Sequence, residues 1–373
     1  MSTPTTDQYE PGAEDREAKG PLILTADEAL AEHLLRLCAA AGTEPQVLSG
    51  APPPLHVWET VPLVLIGDDV SEHCAGLTRR PGVLLLGSDL GDHDVWVRGI
   101  ELGAEEVLFL PDAESWLLDR IADAVERVGP PALTVAVIGG RGGVGASTLA
   151  CALAVTAARA GHRTMLIDGD PLGGGLDVLL GGESADGLRW PDLAAARGRL
   201  SGPELADALP QLHSLSALSW DRSDALVIPP EAMRSVLAAA RRRGGLVVLD
   251  LPRHLDPATR EALDQADTGL LLVPAELRGI TAAGRVATAI AMRLADLRAV
   301  IRLPGPIGLS SAEIAGGLGL PLAGEVTREA GLSVDVERGN PPGLRRHGAL
   351  ARFCTGYLTE VMPTITINGG AVS

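Results

Sequence analysis

The chain has 373 residues, 46% of them hydrophobic but only 2% aromatic, a length that fits two domains of about 150 residues with cores of Leu, Val, Ile and Ala. Its 31 basic and 48 acidic residues give a net charge of −17, which disfavours a broad non-specific surface for nucleic acid or anionic membrane. Cys38, Cys74, Cys151 and Cys354 stand far apart with no CxxC pair, so neither a disulfide framework nor a zinc site is indicated.

Residues 1–20 are polar, charged and free of apolar periodicity, and read as a disordered tail. That polar start, and the lack of any apolar run of about 18 residues, predict a cytoplasmic protein without signal peptide or membrane span. From Pro21 short apolar runs alternate with helical stretches. Strands are predicted at 22–25, 46–48, 63–67, 83–86 and 106–110, and helices at 28–41, 55–59, 71–79, 94–102 and 114–128. Five βα units of this length form a small doubly wound sheet. Gly129-Pro130-Pro131 breaks the last helix, so residues 129–132 read as a linker. A second alternation follows, with strands at 133–138, 163–167, 215–220, 246–249, 269–273, 299–303 and 322–325. A final helix is expected at 344–361, then a tail at 363–373. These apolar strands suit a mostly parallel sheet buried on both faces.

The second half carries a phosphate-binding pattern. Strand 134–138 runs into Gly139-Gly140-Arg141-Gly142-Gly143-Val144-Gly145-Ala146-Ser147-Thr148 and then an alanine-rich helix. Glycines let successive backbone N–H groups converge on one point, and the helix N-terminus adds partial positive charge. Gly140 and Gly145 bracket a GxxxxG spacing, and Ser147 takes the hydroxyl position that would ligate Mg²⁺. The lysine expected between Gly145 and Ser147 is replaced by Ala146, and Lys19 is the only lysine in the chain. Two later strands end in carboxylates: Asp168-Gly-Asp170-Pro, and Asp250-Leu-Pro-Arg, where Asp250 would hold Mg²⁺ through water.

Residues 21–128 resemble the receiver domain of two-component response regulators, but in degenerate form. Asp27 follows the first strand, Asp68 and Asp69 come late after the third, and Gly67 stands where the phospho-accepting aspartate belongs. Leu110-Pro111 replaces the Lys-Pro pair. The expectation is a contact module whose aspartates cap strands and helices. Residues 133–362 resemble the MinD/ParA family of deviant Walker A P-loop ATPases (signature KGGxGK[ST]), and within it the CpaE/TadZ-type proteins, especially the actinobacterial septum-site-determining group. The resemblance implies an α/β fold: a five-stranded receiver-like (flavodoxin-like) domain, then a doubly wound, mostly parallel P-loop sheet.

It also implies ATP and Mg²⁺ as ligands and a homodimer closed over the nucleotides. Arg141 replaces the lysine that reaches the partner's phosphates, and Gly140, Gly142, Gly143, Val144, Gly145, Ala146, Ser147, Thr148 and Asp250 line the nucleotide. Asp168 and Asp170 form the first switch, with Asp170 positioning water, and Ser147 with Asp250 serves Mg²⁺. One charge-assisted hydrogen bond is worth about 1.5–3 kcal/mol in binding, while one donor aimed at transition-state charge is worth about 10²–10³ in rate. Loss of the lysine therefore predicts binding that outlasts hydrolysis. The implied role is a spatial regulator of the septum or of a pilus or secretion apparatus; a non-catalytic scaffold with a vestigial site stays open beside it. The 363–373 tail lacks basic residues, so recruitment to septum or membrane would need a partner, and no specific nucleic acid is expected.

Overall fold

The computed structural model describes residues 20–50, 52–74, 76–126, 130–195, 200–222, 227–305 and 308–362. Nearly all of the two predicted tails, residues 1–19 and 363–373, and Gly129 of the predicted linker lie outside that set. The chain divides into two compact units, one ending at Arg127 and the other beginning at Val128.

The first unit is a parallel sheet of β1 (Leu22–Leu24), β2 (Gln46–Leu48), β3 (Val64–Gly67), β4 (Val83–Gly87) and β5 (Glu106–Phe109), in the order β2-β1-β3-β4-β5. Its inner strands are apolar on both faces because helices cover both. Leu22, Leu24, Val64 and Ile66 pack into one core, and Ile23, Leu63, Leu65 and Leu84 into the other. The helix predicted at 71–79 is instead a 3₁₀ segment, Asp68–Cys74. The Ser71 hydroxyl donates to the Asp68 carbonyl at 2.7 Å, a local bond that competes with α-helical pairing.

The receiver-like acidic residues are absorbed into the backbone. Asp27 caps the helix Glu28–Ala40 through the N–H groups of Ala29 and Leu30. The Asp69 carboxylate accepts from the Thr25 hydroxyl (2.9 Å) and from the N–H groups of Ala26 (2.6 Å) and Asp27 (3.1 Å). Asp68 accepts from the Ser88 N–H and hydroxyl, with Arg98 at 3.6 Å. Gly67 leaves no room for an aspartate, since a Cβ there would lie 2.2 Å from Asp69 Oδ1 and 2.8 Å from Thr25 Oγ1.

The second unit holds β6 (Leu133–Gly139), β7 (Thr164–Asp168), β8 (Gln211–Leu212), β9 (Leu215–Leu218), β10 (Leu246–Leu251), β11 (Thr268–Pro274), β12 (Leu297–Leu303) and β13 (Leu322–Thr327). Their order is β13-β12-β11-β6-β10-β7-β9-β8, parallel throughout except for the β8–β9 pair. The short strand β8 lies outside the sequence prediction, because two residues carry no readable period. The last helix begins at Ala349, not 344. Arg345 is held outside it by Asp335 at 2.5 Å and by the Ala330 carbonyl, and Gly348 occupies the N-cap. Arg241 of the Arg241-Arg-Arg243 run pairs with Asp267 and donates to Thr134 and the Gln265 carbonyl, so it fastens a helix end to the sheet.

Candidate functional site

The order β11-β6-β10-β7 sets the glycine loop after β6 among the carboxyl ends of its neighbours, the place where open α/β sheets receive ligands. The loop leads into the helix Ala146–Arg159, whose residues Leu149–Ala158 are all buried. Small side chains let that helix sit close between the sheet and the helix Ala349–Val361. Gly143 and Gly145 have φ of +70° and +100°, a region L side chains rarely adopt. Gly140 is needed for packing: its N–H donates to the Leu272 carbonyl at 2.9 Å, and a Cβ would come within 2.6 Å of Ala283 Cβ. Val144 is the one buried side chain of the turn and anchors it in the core.

Register brings the two strand-end carboxylates together, since Asp250 on β10 is the direct neighbour of Asp168 on β7. Asp168 accepts from the Leu176 N–H (3.0 Å), the Ser219 hydroxyl (2.8 Å) and the Asp170 N–H (3.2 Å). Trp190 Nε1 donates to the Asp168 carbonyl at 2.6 Å, fixing the backbone of the same residue. Even so, burial pushes the Asp168 carboxyl up to about 6, with the nearby Asp170 charge adding to it. Asp250 is only 3% exposed, and burial raises its carboxyl to about 7, helped by Asp168 and Asp170 and opposed by a hydrogen bond from the Ser147 hydroxyl. Asp170 is less buried and accepts from the Leu172 N–H at 3.0 Å, closing a local turn.

A buried carboxylate contacted by a serine hydroxyl and crowded by two further carboxylates is a donor set that a divalent cation would relieve. Ser147 and Asp250 therefore fit Mg²⁺, and the loop N–H groups with the start of the following helix fit phosphate. Ala146 contributes no charge and packs partly against the core. On the other side of the loop a cleft of about 240 Å³ is lined by Gly143, Gly145, Thr148, Arg302, Thr327 and Arg328, with none of the three carboxylates among its walls.

All the residues predicted for the site lie in the glycine loop or at the adjoining strand ends. The Arg141 guanidinium is ion-paired within its own chain to Glu276, at 2.7 Å. Ser219, which orients Asp168, escaped sequence reading because a lone serine after a strand carries no pattern. Arg302, which donates to the Val144 carbonyl, left a readable signal as a charge inside the apolar run Ala299-Val-Ile-Arg302-Leu.

Comparisons with known proteins agree with this fold. Residues 24–131 match the Rv3660c-like, CheY-like N-terminal domain, and residues 135–305 match the CobQ/CobB/MinD/ParA nucleotide binding domain. The protein Rv3660c of Mycobacterium tuberculosis (strain H37Rv) is 38% identical over 334 residues, spanning 88% of this chain and 94% of its own length. Among solved structures, the ParA family ATPase from Chlorobium tepidum superposes with a TM-score of 0.56 at 16% identity, covering 61% of this chain and 98% of that one. MinD in the MinC:MinD cell division complex of Aquifex aeolicus gives 0.52 at 23% identity, covering 62% and 98%. Both likenesses concern the fold. The chain belongs to the Rv3660c family, with a CheY-like unit followed by a P-loop nucleotide-binding unit of the MinD/ParA family.

Proposed function

We propose that this chain is a nucleotide-dependent spatial regulator of the CpaE-like, septum-site-determining type, which binds ATP with Mg²⁺ and hydrolyses it weakly or not at all. The observation that carries this reading is the Asp168–Asp250 pair, buried at the mouth of a glycine loop with Ser147 bonded to Asp250. Burying two adjacent carboxylates without a counter-charge weakens the fold, so their presence makes sense where a cation neutralises them. Residues Gly140 to Thr148 would hold the phosphates through backbone N–H groups, and Ser147 with Asp250 would hold the metal, Asp250 through water. Mg²⁺ supplies charge neutralisation at the phosphates when bound. Asp170, kept at the rim by its own turn, is the group available to orient a water molecule.

In this reading residues 21–128 form a receiver-like contact module, 129–132 a linker and 133–362 the ATPase domain, bracketed by tails at 1–20 and 363–373. Two copies would close over the nucleotides as a homodimer, with a division, pilus or secretion component as partner. No helix among the described residues is long and apolar enough to cross a membrane. Recruitment to septum or membrane therefore falls to that partner.

Titration of the full chain with MgATP tests the proposal. Saturable binding with a Kd of about 1 µM to 1 mM is expected, since backbone donors and the metal act without a lysine. No saturation at millimolar MgATP overturns it and leaves the second reading, a non-catalytic scaffold with a vestigial site. Ala146 is the observation that favours that alternative.

A further inference from the structure

Three arginines stand at the glycine loop, and they are not equivalent. Arg141, within it, is paired to Glu276. Arg302 comes from β12 on the side of the Thr148 cleft and donates to the Val144 carbonyl, so it fastens the loop from that side. Arg253 comes from the opposite side, three residues past Asp250 and beyond the end of β10. Its guanidinium covers Gly142: a Cβ built on that glycine would lie 3.8 Å from Nη2 and 4.0 Å from Cζ. Among the described residues Arg253 makes no ion pair or side-chain hydrogen bond, although it follows the strand that ends in Asp250 and Asp168 is that residue's neighbour.

We infer that Arg253 is a phosphate-binding residue that acts in cis on the terminal phosphoryl group of a bound nucleoside triphosphate, supplying the charge that Ala146 lacks. The inference rests on the nucleotide-binding reading above and deepens it by naming the cation. Position selects the phosphate. Ser147 is bonded to Asp250, on the strand that leads to Arg253, while Gly143, Gly145 and Thr148 line the cleft with Arg302. A guanidinium over Gly142 therefore meets the metal-facing end of the polyphosphate, where charge is densest. Its fork can take two phosphate oxygens at once, which an ammonium group cannot do. It is exposed, and with no partner among the described residues its donors face solvent.

The test compares ATP and ADP binding by the full-length wild type, Arg253→Gln and Arg253→Lys, with melting of each without nucleotide. Arg253→Gln keeps a donor but not the charge, and should bind ATP about 10- to 100-fold more weakly. Its ADP affinity and its melting temperature should match the wild type, and Arg253→Lys should fall between the two in ATP affinity. Equal losses for ATP and ADP, or ATP binding that survives Arg253→Gln unchanged, overturn the Arg253 assignment while nucleotide binding itself stands. A wild type that binds neither nucleotide removes the underlying reading and this inference with it.

Discussion

Both units place aspartates at the carboxyl ends of inner strands, yet only the second buries two of them side by side. At the end of the first sheet, Asp69 takes three donors from the segment after β1, and Asp68 takes two from Ser88 with Arg98 beside it. Those carboxylates are used up by the fold, and Gly67 has no space for another. At the end of the second sheet, Asp168 also takes three donors, but it lies beside Asp250, whose carboxylate takes only the Ser147 hydroxyl; both are almost wholly buried, with no arginine paired to either among the described residues. Lone carboxylates bonded to the backbone are architecture, whereas two buried carboxylates side by side that resist ionisation form a place where positive charge would be welcome.

Restoring an acid at the first site is the hardest blow to that contrast. Gly67→Asp would drive a side chain into Asp69 and Thr25 and place a second charge against the first. The first unit should lose about 3–5 kcal/mol of stability. Differential hydrogen exchange should locate the loss to residues of the first unit. A variant of wild-type stability that takes up phosphate from acetyl phosphate would show that the site is open after all.

The next largest effect lies at the second site. Because the Asp168 and Asp250 carboxyls are raised to about 6 and about 7, the folded chain keeps protons that the unfolded chain releases. Their contribution to stability is therefore best below about pH 4, declines as pH rises to about 7, and is level above that. Asp250→Asn removes the larger part of this slope. It should stabilise the nucleotide-free protein by about 2–4 kcal/mol at pH 8, measured by denaturant melts from pH 4 to 8. The same variant should lose the Mg²⁺ dependence of nucleotide binding. An unchanged pH profile would mean that Asp250 is not the buried acid the geometry makes it.

These contrasts explain what could be read in advance. The sheet cores, the glycine loop and both strand-end aspartates were legible because periodicity and short-range spacing encode them. The saturation of Asp69 was not, since its donors come from Thr25 to Asp27, more than forty residues away. The pairing of Arg141 with Glu276 and the cover of Gly142 by Arg253 were equally hidden, because strand order alone brings those loops together.

Ala146→Lys asks whether the loop is otherwise competent. A lysine there adds one charge-assisted contact to phosphate, worth about 1.5–3 kcal/mol, so MgATP affinity should rise about 10- to 100-fold, with turnover rising alongside. Calorimetric titration and phosphate release would measure both. Unchanged values would mean that the alanine reflects a reshaped loop and not merely a missing charge.

The smallest effect separates position from stability. Arg141 and Glu276 are 46% and 35% exposed, so water screens their ion pair, and Glu276→Gln should cost less than about 1 kcal/mol. What changes is the freedom of Arg141: the pair holds the guanidinium against its own chain, and a contact with a second copy requires its release. Glu276→Gln should therefore shift the chain toward a nucleotide-dependent dimer while the melting temperature stays nearly constant, as read by sedimentation with and without MgATP. If the dimer fraction does not move, Arg141 belongs to the surface of one chain, and the trans role implied by the family resemblance does not apply to it.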